Sequence, residues 1–525
     1  MGSFRWLDLV VIALYMGAVA YIGLRCSRRQ TSTESYFVAR RSVPHWAMGF
    51  SFFATLISSI TFIAYPGSAY AGNWSELVPG FMVISVLLLV GLVVIPFFRH
   101  AVGMSAYEYF GKRFGYGARA YSALGFSIGH FSKMGFVFYL LALTVHSMTG
   151  WNLYAVILMA GAVTIFYTLL GGLEAVIWTE VLQGIIMWLG IFICLGFLLF
   201  LPPGGPAAAF ELAWRHDKFS LGSMDFDLAK KGFWVMSLYG FFWYLQKYTG
   251  DQTIVQRYLV ARNDRDALKG VATGALMCLP VWTLFMLIGT LVWAYYQLSG
   301  EPLPAHIDKP DKVFPYFISS KIPVGLAGLF MAALFAAGMS TLASDLNCLS
   351  AVAVEDYYRR LKPNATDRQR LLAGRLIVAL CGFAAVAIAI VIALRGERAL
   401  SLYFTVSSIL TGGIAGMFIL AFLSRRANKG GVWVGIMVCL VFTAWGTFTS
   451  GKERLIDLGR YNFALPGIMV GVLGHIVLVA AGWLASFFFA PPAPDTHALT
   501  LWGWLERRRG TAAAPGGTVI QPKVG

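Results

Sequence analysis

Apolar residues fall into long runs separated by short charged stretches from one end of the chain to the other. A helix needs about 20 consecutive apolar residues to cross a hydrocarbon core of about 30 Å. On that rule about thirteen spans are predicted, at 6–25, 45–71, 76–98, 119–149, 152–171, 174–202, 232–255, 270–298, 323–353, 371–394, 399–424, 431–450 and 463–489. The connections at 25–44, 98–119, 256–270, 354–375 and 424–431 then share one side and carry arginine clusters such as Arg40-Arg41, Arg359-Arg360 and Arg425-Arg426. Lys and Arg accumulate in cytoplasmic loops, so the N-terminus is expected outside and the C-terminus in the cytoplasm. No cleavable signal is expected, because the run at 6–25 is followed by Arg25, Arg28 and Arg29 rather than by a small-residue cleavage site.

Two runs break the apolar pattern in the same way. Residues 51–71, SFFATLISSITFIAYPGSAYA, carry Thr55, Ser58, Ser59 and Thr61 at the centre and Pro66-Gly67 beyond. In a bilayer such a breakable segment is tolerated where it packs on protein or lines a cavity, and its freed carbonyls can coordinate a cation. A helix-packing hydroxyl face is the plainer alternative. Residues 329–350 place Ala337, Ser340, Thr341 and Ser344 at i, i+3, i+4 and i+7, one face of a helix. Set against the carbonyls of Ala54 and Ile57, these groups predict an all-oxygen, nearly neutral cage that suits Na⁺.

A longer symmetry emerges from the spans. Spans two to six and seven to eleven form two groups of five, and an odd number makes consecutive copies inverted. The first helix of the second group, GFWVMSLYGFFWYLQKYTGDQTIVQRY, is interrupted by polar residues and by Gly240 and Gly250, as the first helix of group one is. Unusual helices at corresponding positions point to a binding site.

The chain resembles the sodium/solute symporter family, which includes the sodium/glucose cotransporters and the bacterial sialic-acid symporters. Four motifs carry the resemblance, in the family's order: Ala54 to Phe62 (ATLISSITF), Gly171 to Glu180 (GGLEAVIWTE), Asp251 to Arg257 (DQTIVQR) and Ala337 to Thr341 (AGMST). It implies an all-α integral membrane protein with a LeuT-type 5+5 inverted repeat. The expected divisions are an extra N-terminal helix and loop (1–44), repeat one (45–202), an external loop (203–231), repeat two (232–424), two C-terminal helices (425–490) and a disordered cytoplasmic tail (491–525). It also implies a Na⁺ site formed by the backbone oxygens of Ala54, Ile57 and Ala337 and the hydroxyls of Ser340 and Thr341. A possible second Na⁺ site falls on Glu180, Ser344 and Asp345, although Glu180 stands where some relatives have Asp and Ala343 replaces a hydroxyl ligand. One Na⁺ per cycle is therefore expected.

Solute contacts are expected from Ser58 and Thr61, one turn apart on the first broken helix, and from Tyr244, Lys247 and Tyr248 on the sixth core helix. Alternatives remain for each: Ser58 and Thr61 as backbone caps, Tyr248 as an interfacial anchor. Lys133 lies within an apolar span, where a lysine costs roughly 3 kcal/mol on insertion scales. By resemblance it occupies the position of an Arg that binds the substrate carboxylate in the sialic-acid symporters. That favours a sugar acid or other small organic carboxylate, with a neutral sugar or polyol as the alternative. Pairing of Lys133 and Lys247 with Asp251, Asp345 or Glu180 is an equally physical reading. Gln252, Gln256 and Arg257 are expected to be structural, and His130, His146 and His475 to be packing residues.

Composition narrows the class. The chain has 525 residues, 58% hydrophobic and 13% charged, with mean hydropathy +0.68, against about 25% charged in soluble domains. A net charge of +16 reflects positively charged loops on one side rather than a nucleic-acid patch. The six cysteines lie in apolar runs without CxxC spacing and predict neither disulfide nor metal. No nucleophile and base converge near one membrane face, as an enzyme would need, and no signalling module is expected in the tail. The expected protein is a Na⁺-coupled secondary transporter of the inner (plasma) membrane, its partners Na⁺, a small solute and lipid, functional as a monomer.

Overall fold

Helices provide nearly all the regular structure of the computed structural model, which describes residues 6–305, 307–395, 409, 412–451 and 454–513. The principal helices are α1 (Trp6–Ser27), α2 (His45–Leu56), α3 (Ser59–Ala71), α4 (Ser75–Ala101), α5 (Tyr116–Thr149), α6 (Leu153–Phe200), α7 (Phe233–Gly250), α8 (Gln252–Leu259), α9 (Asp264–Ser299) and α10 (Leu326–Val352). The chain continues through α11 (Asp367–Leu394), α12 (Ile414–Leu423), α13 (Lys429–Thr449), α14 (Ile468–Phe488) and α15 (Leu501–Ala513).

The expected count of thirteen spans is not reproduced. Among the described residues nine helices are long and apolar enough to cross a membrane, or ten when the bent pair α2–α3 is taken as one. Each missing span has a physical reason. The expected spans 152–171 and 174–202 both lie in α6, whose 48 residues run through Gly172 at φ 55°, ψ −154°. A β-carbon there would meet the Tyr36 carbonyl at 2.7 Å, so only glycine fits the bend. The expected span 232–255 is broken at Asp251 (φ −99°, ψ 112°) into α7 and the short α8. Of the expected span 399–424, residues 399–408, 410 and 411 lie outside the described residues, and its C-terminal part forms the ten-residue α12.

Centre and periphery differ in burial. In the span that begins with α10, 89% of the most apolar window is buried, against 33% for α1 and α11. Helix α10 is thus the axis of the bundle, packing on α6, α1 and α5. Helix α1 fixes it from outside: Asp8 Oδ1 accepts the N–H groups of Gly325 and Gly328 at 2.6 and 2.7 Å, satisfying donors at the α10 N-terminus. The α2–α9 crossing is tight because glycines face it. A β-carbon on Gly274 would lie 2.8 Å from the Gly49 carbonyl, the close approach that small residues allow in membrane bundles.

The tail departs from expectation. Residues from 491 were expected to be disordered, yet a turn at Pro494–Leu499 leads into α15. Its aromatic side chains give it a face to bury: Trp504 meets Phe97 at 5.7 Å between ring centroids, and Trp502 Nε1 donates to the Leu423 carbonyl at 2.8 Å. Residues 514–525 lie outside the described residues.

Candidate ion and solute sites

The chain leaves helical geometry between α2 and α3, which meet at 59°. Ile57 (φ −96°, ψ 113°) and Ser58 (φ −112°, ψ 171°) are extended, so carbonyls in the last turn of α2 lose their helical N–H partners. Ser58 N–H turns instead to Thr61 Oγ1 at 3.4 Å. Opposite stands the hydroxyl face of α10. Ser340 Oγ donates to the Ala54 carbonyl at 2.9 Å and approaches the Ala337 carbonyl at 3.1 Å; Thr341 Oγ1 approaches the same Ala337 oxygen at 3.2 Å. Ala54, Ile57, Ala337 and Ser340 are fully buried and Thr341 is 2% exposed. Three of the oxygens expected around Na⁺ are therefore linked through Ser340, across two helices more than 280 residues apart in sequence. The donor set is neutral, all oxygen and buried, which fits a hard monovalent cation.

Beside this cage lies a charged cluster. Glu180 of α6 and Arg257 of α8 are both fully buried and form an ion pair at 2.7 Å. Ser51 and Ser344 donate to the Glu180 carboxylate, and Thr55 Oγ1 lies 3.2 Å from it. Arg257 reaches the Ser344 hydroxyl at 2.5 Å, Ser51 at 3.3 Å and the Thr253 carbonyl at 3.0 Å. The residues expected at a second Na⁺ site are thus divided: Glu180 and Ser344 surround a guanidinium, and Asp345 has other partners. Arg257, expected to be merely structural near a helix end, is the cation that balances Glu180.

Asp345 belongs to a chain of five ionisable groups that joins three elements. Lys247 Nζ lies 2.5 Å from Asp251 Oδ2, His130 Nε2 lies 3.2 Å from that oxygen, His130 Nδ1 lies 2.7 Å from Asp345 Oδ1, and Lys133 Nζ lies 2.9 Å from Asp345 Oδ2. Asp251 also caps α8, accepting from Thr253 N–H at 2.9 Å. The chain runs from the α7–α8 break through α5 to α10. His130, expected to be a packing residue, sits at its middle between two carboxylates. Its position three residues before Lys133 puts both on one face of α5, the sequence signal that could have grouped them. His475 does pack, stacked on Phe242 at 5.6 Å, and His146 bonds locally to the Trp151 carbonyl.

The expected solute residues have unequal access. Ser58 is half-buried and Thr61 buried. The Lys133 side chain is 31% exposed and that of Lys247 18%. Tyr244 and Tyr248 are buried, Tyr248 stacked on Phe52 at 6.0 Å and Tyr244 tilted against Trp282 at 6.1 Å. Tyr248 is therefore no interfacial anchor.

Two broken helices, an inverted-repeat-like packing and a neutral cluster of oxygens between α2 and α10 fit a secondary active transporter rather than an enzyme. The model of the sodium:solute symporter family matches residues 36–439, and the chain belongs to that family. Na⁺ is its coupling ion and a small organic solute its cargo. It is 31% identical over 514 residues to the sodium/sialic acid symporter NanT of Aliivibrio fischeri, covering 97% of this chain and 99% of that one. Sodium/sialic acid symporter SiaT of Proteus mirabilis is 30% identical over 492 residues, 93% and 96% of the two chains. A solved substrate-bound, outward-open structure of a Na⁺-coupled sialic acid symporter matches with TM-score 0.87 at 30% identity, covering 93% of this chain and 98% of that one. The nucleobase-cation-symport-1 transporter Mhp1, at 15% identity and TM-score 0.55 over 88% of this chain and 97% of its own, shares the fold alone.

Proposed function

We propose that this transporter imports a small organic carboxylate of the sugar-acid class together with one Na⁺, by alternating access in a LeuT-type 5+5 inverted repeat. The observation that carries the solute class is Lys133: an ammonium on α5, partly exposed inside a membrane bundle. Its expense in an apolar span calls for a function. Relatives of near-full length named as sialic acid symporters support the same class. Na⁺ is assigned to Ala54, Ile57, Ala337, Ser340 and Thr341. By bridging α2 to α10 it favours one state of the bundle over the other, the differential affinity that coupling requires. One Na⁺ is proposed because Arg257 already supplies the positive charge beside Glu180 and Ser344. The termini are assigned outside (N) and cytoplasmic (C), in the plasma membrane, with a complete pathway in each monomer.

A second reading, transport of a neutral sugar or polyol, draws on the Lys133–Asp345 pair, in which a carboxylate already balances the ammonium. Uptake by proteoliposomes under an imposed Na⁺ gradient separates the two. Labelled N-acetylneuraminate (a sialic acid), gluconate, glucose and mannitol are compared in wild type and Lys133→Gln. Carboxylate uptake that Lys133→Gln removes supports the first reading; equal uptake of a neutral solute by both proteins overturns it. A reversal potential corresponding to two coupled Na⁺ would overturn the stoichiometry.

A further inference from the structure

Lys133 faces two ways. Nearly a third of its side chain is exposed, whereas the Asp345 behind it is 1% exposed. Its ammonium lies 3.0 Å from Asp345 Oδ1 and 2.9 Å from Oδ2, with His130 Nδ1 at 3.4 Å. Of the two carboxylate oxygens, Oδ1 has His130 as a second partner at 2.7 Å. Oδ2 is buried with no well-directed hydrogen bond and lies 2.9 Å from the Lys133 ammonium. Asp345 adjoins Ser344 on α10, so the helix that carries the sodium hydroxyls also fixes this carboxylate.

Resting on the carboxylate reading above, we infer that Asp345 determines solute selectivity as a tethered competitor for the Lys133 ammonium. A lysine offers three N–H groups from one compact charge. Asp345 engages that charge from a fixed position on the same chain, at the high effective concentration of any tethered group. An incoming carboxylate must share or displace it, and Oδ1 falls back on His130 when it does. A neutral hydroxylated solute meets no such competition. Asp345 therefore weakens anion binding selectively, which lets a carboxylate captured by this partly exposed lysine leave again.

The test is calorimetric titration of full-length protein in detergent at saturating Na⁺ with N-acetylneuraminate, gluconate and mannitol. Asp345→Asn should bind a carboxylate at least about fivefold more tightly, with mannitol binding changed less than about twofold. The gain should vanish when Lys133→Gln is added, because the competition has lost its object. Lys133→Arg is the second variant, since a guanidinium fork has edges for two carboxylates; with Asp345 intact it should gain at least about threefold. Unchanged or weaker carboxylate binding in Asp345→Asn, or a gain that persists without Lys133, overturns the inference while leaving the carboxylate reading in place. Should Asp345→Asn fail to fold, Lys133→Arg decides, and weaker binding there overturns the inference. Failure of wild type and every variant to bind either carboxylate removes the solute reading and this inference together.

Discussion

The oxygen cage and the five-membered charged chain occupy neighbouring turns of α10, yet they are built on opposite principles. The cage uses carbonyls and hydroxyls only, all buried, with no formal charge. The chain spends two lysines, two aspartates and a histidine inside the bundle. Taking an ion out of water costs several kcal/mol even after relaxation, so each charge must be matched at close range. A neutral cage of dipoles can hold a monovalent ion and release it, because no fixed counter-charge remains behind when the ion leaves. The charged chain does the reverse: it joins α5, α10 and the α7–α8 break through contacts that are expensive to leave half-made. One region suits an ion that must come and go, the other a framework that ties α5, α10 and the α7–α8 break together.

The largest effect that sharpens this contrast is expected at the Glu180–Arg257 pair, the most deeply buried charges beside the cage. Arg257→Ala strands a buried carboxylate and should destabilise the protein by about 3–5 kcal/mol, whereas replacing both partners by apolar residues of similar volume should restore most of that loss. Thermal unfolding in detergent measures it, and an Arg257→Ala protein as stable as wild type would break the distinction between fixed charges and neutral cage. Next comes Lys133→Gln. Loss of a charge-assisted contact worth about 1.5–3 kcal/mol should weaken carboxylate binding roughly 10- to 100-fold while leaving Na⁺ affinity within about twofold. A parallel fall in Na⁺ affinity would mean that the two regions act as one. The smallest effect is expected at Thr61, which receives the Ser58 N–H at 3.4 Å. Thr61→Val removes a capping acceptor at the start of α3 and should cost about 1 kcal/mol, seen as a modest fall in the midpoint of unfolding.

The two regions also differed in how legible they were. The meeting of the Ser340 and Thr341 hydroxyls with the Ala54 and Ala337 carbonyls could be read from the chain because these residues crowd into two short motifs, one at a helix break and one on a single helix face. The charged chain was legible only in part: pairing of Lys133 and Lys247 with Asp345 and Asp251 was among the alternatives read, but His130 was not placed between the carboxylates, since it lies 215 residues from Asp345 and 121 from Asp251. Helical periodicity places a side chain on a face but does not say which other helix that face meets. Lys247 and Asp251, at i and i+4, were the one link a local pattern contained. The partner of Arg257 was hidden for the same reason: Glu180 comes from another helix 77 residues away. The number of spans failed on different grounds. The apolar runs divide α6 at 171–174, where its bend at Gly172 falls although the helix runs on through it, and 232–255 reads as one span because the apolar run of α7 hides the break at Asp251.

The central claim is that the coupling Na⁺ sits between α2 and α10 on the Ala54, Ile57, Ala337, Ser340 and Thr341 oxygens. The most direct measurement is the Na⁺ dependence of solute uptake and of Na⁺ binding in wild type and in the double variant Ser340→Ala/Thr341→Ala, with thermal unfolding as a check that the variant is folded. Removing both hydroxyls takes two of the five oxygens from a buried cation site, so Na⁺ affinity should fall by at least about 100-fold and gradient-driven uptake should be lost. A folded double variant that retains wild-type Na⁺ affinity and Na⁺-dependent uptake would contradict the assignment.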